Sequence, residues 1–71
     1  MADEDLIERL AALEHEQWMT WAKAVRDTEM LSIERLDRWD AYMIPYEQLP
    51  EEVKEFDRMW ARKVLRVIGD V

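Results

Sequence analysis

The stretch from Asp3 to Val25, DEDLIERLAALEHEQWMTWAKAV, decides the fold. No glycine or proline interrupts it, and Leu6, Ile7, Leu10, Leu13, Trp18, Trp21 and Val25 recur at three- and four-residue steps. That spacing predicts a long amphipathic helix. Asp3, Glu4 and Asp5 in its first turn, and Lys23 and Arg26 near its end, complement the helix dipole.

An apolar stripe of this length needs partners, and the remaining sequence offers two further helices. Ser32, the only serine, is placed to accept a hydrogen bond from an unpaired N–H of the following turn, with Leu31 and Leu36 in the positions of a hydrophobic staple. A short helix from Ile33 to about Tyr42 is expected there, carrying Ile33, Leu36, Trp39 and Met43 on or near one face and a Glu34–Arg38 pair. Pro45 ends it by pushing Ile44 out of the helical region, which leaves Ile44 to Leu49 as an extended connector. Pro50 suits the first position of a third helix, and Glu51 and Glu52 follow it where the dipole favours acids. This helix should run to about Ile68, with Val53, Phe56, Trp60, Val64 and Val67 as its core stripe and Gly69 as its cap. The expectation is an all-α fold: one small three-helix domain over residues 1–71, with an irregular Pro/Tyr-containing connector before the last helix.

At 71 residues the chain holds one core, which at this size rarely supplies more than about 3–5 kcal/mol. Cysteine is absent and His15 is the only histidine, so neither disulfides nor a thiolate or imidazole metal site can reinforce it. Dense packing and self-association remain, and four Trp, two Tyr, one Phe and five Met fit the first. Seventeen acidic against ten basic residues give a net charge of −7, which repels long polyanions and argues against general nucleic-acid binding. The longest uncharged runs, Gln17 to Ala22 and Ala41 to Tyr46, have six residues each, far short of a membrane span. The acidic N-terminus is unlike a signal peptide, so a soluble, cytoplasmic protein is expected.

Catalysis finds little support. The single serine is explained as a cap, no glycine-rich phosphate loop exists, and the position four residues after His15 is Met19 rather than a second zinc ligand. No catalytic residue, metal site or cofactor is expected. Lys54, Arg58, Arg62 and Arg66 follow one another at steps of four on the third helix. This basic stripe either holds phosphate oxygens or is a solvated face paired with Glu51, Glu55 and carboxylates of the first helix. Trp18 and Trp21, with Trp39, Tyr42, Tyr46 and Trp60, either form the core or offer planes on which a base stacks.

His15-Glu16-Gln17-Trp18, followed by Ile44-Pro45-Tyr46-Glu47-Gln48-Leu49-Pro50-Glu51-Glu52 and Asp57-Arg58, resembles the ryanodine-receptor repeat, or RyR domain, family, in its small stand-alone bacterial or phage type. The resemblance spans about Leu10 to Ile68. It implies a small helical ligand-binding or sensing module with nucleotide-type ligands, and points to His15, Glu16, Trp18, Pro45, Tyr46, Asp57 and Arg58. Asp57 and Arg58 have a structural alternative, tying the helices to the connector, and Glu16 has another, fixing His15. Typical members carry a glycine-flanked G-W-x-Y-G segment after the first helix, whereas Arg26 to Trp39 has no glycine.

The resulting expectation is a non-enzymatic module for a small anionic, nucleotide-like ligand, sensing or sequestering a nucleotide signal. His15, Trp18, Trp21, Tyr46, Arg58 and Arg62 form the expected site, with Trp18 and Tyr46 stacking and the two arginines holding phosphate. Because a pocket would consume much of so small a core, a homo-oligomer is expected. The alternative is a protein-interaction or assembly module using exposed Trp39, Met43 and Met30.

Overall fold

The computed structural model describes residues 3–69. Helix α1 spans Asp3–Thr28, α2 spans Ile33–Tyr42, a single 3-10 turn covers Tyr46–Gln48, and α3 spans Glu51–Val67. The three-helix, all-α expectation holds among these residues.

Local chemistry explains the boundaries. Ser32 caps α2 as expected, its Oγ accepting from the Arg35 backbone N–H at 3.1 Å. Pro50 sits one place earlier than expected, as the cap itself, with its carbonyl accepting from the N–H groups of Val53 and Lys54 at 3.0 Å each. Gly69 ends the turn after α3 at φ 115°, a conformation other residues adopt only with strain. The connector departs from the extended expectation. Gln48 N–H reaches Pro45 O at 2.9 Å and Leu49 N–H reaches Tyr46 O at 3.0 Å, and this turn buries both Tyr46 and Leu49.

The core lies between α1, the connector and α3. Ala11 and Ala61, neither with any exposed surface, occupy the contact of the two long helices, and their small side chains let the backbones approach. Tyr46 and Leu49 complete the cluster, with Ile7, Leu10, Ala12, Ile44 and Val53 packed around it. Trp18 shares a recess with Val53 while His15 pairs with Asp57, so later residues of α1 meet earlier residues of α3 and the helices run antiparallel.

The molecule measures 42 × 22 × 14 Å. Its length is that of α1, since 26 residues at about 1.5 Å each give roughly 39 Å. Its thickness is scarcely more than one helix with side chains. No large side chain is therefore fully buried among the described residues. The expected α3 core stripe is corrected accordingly: Val53 and Val64 are half-buried, but Phe56 (67 % exposed), Trp60 (51 %) and Val67 (85 %) face outward. In α2, which buries no residue, Ile33 is likewise 74 % exposed. Trp39 holds this helix in place, with ring centroids 5.9 Å from Trp18 and 5.6 Å from Trp21, aided by an Arg26–Asp40 ion pair.

Candidate ligand-binding site

α1 carries Glu8 and, two turns later, His15 into its contact with the connector and α3. The Glu8 carboxylate accepts from Tyr46 Oη at 3.0 Å, from Arg58 Nε at 2.6 Å and from Arg58 Nη2 at 3.3 Å. One carboxylate thus joins α1, the connector and α3. Arg58 also donates to Glu51 at 3.0 Å, Arg62 donates to Glu55 at 2.8 Å, and Lys54 lies 3.5 Å from Glu51. Of the two alternatives for the basic stripe, the structure displays internal pairing for three of its four members. The Arg58 hydrogen bond holds Glu8 below the ordinary carboxylate range, and the neighbouring arginines do the same for Glu51 and Glu55. Burial and the Glu8 contact push the Tyr46 phenol up to about 12.

His15 is buried and its Nε2 lies 2.8 Å from Ile44 O. A carbonyl oxygen only accepts, so Nε2 carries the hydrogen. That carbonyl is free because Pro45 ends the helical ladder after α2. Nδ1 faces Asp57 Oδ2 at 3.8 Å, and burial raises the Asp57 pKa more than His15 lowers it. His15 is therefore held by Ile44, with Asp57 beside it, and the expected Glu16 partner is instead exposed. The imidazole stacks on Trp18, with centroids 5.8 Å apart and planes 20° from parallel.

Beside this pair a recess of about 160 Å³ is lined by His15, Trp18, Tyr42, Val53, Phe56 and Asp57. It adjoins a groove of about 570 Å³, which shares Trp18, Tyr42, Val53 and Phe56 and adds Trp39, Arg35 and Arg38. The Glu34–Arg38 pair expected on α2 does not form, and neither Arg35 nor Arg38 makes an ion pair among the described residues. Aromatic faces and two uncommitted guanidinium groups thus share one groove.

The six expected site residues do not converge. His15 and Trp18 line the recess. Trp21 lines neither the recess nor the groove and is instead packed on Trp39, half exposed. Tyr46 is a core residue that meets His15 only in a separate hollow of about 360 Å³ on the connector side. Glu16 and Glu47 line that hollow and no cation does, so it disfavours an anion. Arg62 borders a third hollow of about 380 Å³ with Glu52, Glu55, Phe56 and Met59, where its charge is already answered by Glu55. Arg58 lines none of these and is held by three glutamates.

Arg35 and Arg38 were legible in the sequence. With Trp39 and Tyr42 they stand at i, i+3, i+4 and i+7, one face of α2. Among the described residues no group of three metal-ligating side chains converges, and no helix is long and apolar enough to cross a membrane. No family model, curated protein or solved structure matches this chain.

Proposed function

We propose that this chain is a non-enzymatic binding module that takes a small anionic, nucleotide-like molecule into the groove between α1, α2 and α3. The observation carrying this reading is the coincidence of Trp18, Tyr42 and Phe56 with the unpaired Arg35 and Arg38. A base stacks on aromatic faces at little sequence cost, and guanidinium groups hold phosphate through bidentate, charge-assisted bonds. The resemblance of His15–Trp18 and Ile44–Arg58 to RyR repeats points to the same ligand class. It supports a role in sensing or sequestering a nucleotide signal.

The phosphate-holding role passes from Arg58 and Arg62 to Arg35 and Arg38, because a guanidinium already paired must first give up its glutamates. A ligand specific for the folded state raises the melting temperature by mass action. A thermal-shift screen of nucleoside diphosphates is expected to produce such a rise, and the double substitution Arg35→Glu/Arg38→Glu is expected to abolish it while leaving the unliganded Tm nearly unchanged. Undiminished binding in that variant sinks the assignment.

A second reading rests on a different observation. Leu6 and Leu13 on α1, and Phe56, Trp60 and Val67 on α3, are exposed apolar side chains, which suits self-association or a protein partner.

A further inference from the structure

The smaller recess is lined differently from the groove beside it. Asp57 is the one carboxylate lining the 160 Å³ recess, whose remaining lining is His15, Trp18, Tyr42, Val53 and Phe56. Nε2–H of His15 is committed to Ile44 O, and Nδ1 lies 3.8 Å from Asp57 Oδ2, beyond hydrogen-bond range, so the Asp57 carboxylate takes no hydrogen bond among the described residues. The Asp57 side chain is only 17 % exposed, so water answers this deficit poorly. Glu14 adds a further negative field at Asp57. A ligand that supplies N–H donors here completes the arrangement, whereas one that brings another acceptor worsens it.

Among nucleobases, guanine presents two adjacent donors, N1–H and the N2 amino group, on a single edge. The spacing matches the two oxygens of a carboxylate. Adenine places the acceptor N1 on the corresponding edge beside its amino group and meets a carboxylate with one bond and one repulsion. Building on the groove assignment above, we propose that the site selects guanine nucleotides. The Asp57 carboxylate accepts from N1–H and N2–H, Trp18 and Phe56 border the base plane, and the phosphates extend towards Arg35 and Arg38. Free guanine nucleotides and guanine cyclic dinucleotides share this edge.

The test is a set of titrations of the intact protein with GDP, IDP, ADP and XDP, read by calorimetry or tryptophan quenching. GDP is expected to bind roughly 10- to 100-fold more tightly than ADP, the discrimination typical of a bidentate base contact. IDP, which lacks the N2 amino group, should fall between them. Asp57→Asn replaces one acceptor by a donor and should invert the order of GDP and XDP, since xanthine has a carbonyl where guanine has the amine. Circular dichroism checks that the variant folds, and the IDP comparison needs no variant. Equal binding of GDP, IDP and ADP, lost in Arg35→Glu/Arg38→Glu, overturns guanine selection while the groove stands. No binding of any diphosphate overturns both. A parallel titration with cyclic diguanylate and its adenine counterpart supports the proposal if the guanine form is preferred and overturns it if the two bind alike.

Discussion

Glu8 shows how much one side chain does in a protein with so little interior. It takes three hydrogen bonds from two elements, and every buried side-chain polar atom among the described residues has a partner. Removing the phenol oxygen with Tyr46→Phe should cost about 1 kcal/mol, a typical net hydrogen bond. The pH dependence follows from the signs. Glu8, Glu51 and Glu55 are held below their ordinary range by Arg58 and Arg62, so their contribution is present above roughly pH 4.3 and is lost as pH falls through the lowered values. Tyr46 has the opposite sense: its contribution is complete below about pH 10 and fades as pH rises towards the raised value. Asp57, raised by burial, favours the fold in its protonated form and opposes part of the acid loss. Thermal melts across pH should therefore show Arg58→Met less stable than the parent at neutral pH, with the gap closing below about pH 4. A gap independent of pH in that range would show that the contact acts through packing alone.

At the level of elements, α2 is the least anchored helix and also the one carrying the groove's arginines. It buries no residue, and it is held by Ser32 at its start, Trp39 along its length and Arg26–Asp40 near its end. Loss of the cap in Ser32→Ala should cost about 1 kcal/mol, expressed locally. Hydrogen exchange should reveal Trp39→Ala as faster opening of Ile33–Tyr42 amides, with the central amides of α1 and α3 changed far less. Uniform loss of protection across all three helices would mean that α2 opens only with the whole fold. Ligand between Trp18 and Arg35/Arg38 would bridge α1 and α2, so binding should slow exchange in α2 first.

For the whole molecule, thinness is the controlling fact. A body 14 Å thick cannot cover both faces of α3, and the connector occupies only one of them. Leu6, Leu13, Phe56, Trp60 and Val67 are left exposed. Self-association through this surface is the expected outcome. Sedimentation at tens of micromolar should detect a dimer or larger species, and Trp60→Glu should return it to monomer without loss of helix. A parent that sediments as monomer at that concentration removes this expectation and leaves the groove within one chain.

Helix number, order and most boundaries were legible because they follow from local causes: uninterrupted 3.6-residue periodicity in α1, the Ser32 hydroxyl, the prolines at 45 and 50, and Gly69. Periodicity also indicated which face of α3 is apolar. It did not indicate whether anything covers that face, because coverage depends on how many elements stack there. The same limit applies to the site. That His15 and Trp18 belong together follows from their spacing on one helix, as does the Arg35–Tyr42 face of α2. Which basic group is free is a question of pairing across 50 residues, since Arg58 is answered by Glu8 and no local pattern reports that contact. Tyr46 and Asp57 likewise took their roles only when the connector turned one inward to Glu8 and α3 set the other against His15. Local sequence determined the helices and their polarity; tertiary structure decided which charges are spent on the fold and which stay unpaired.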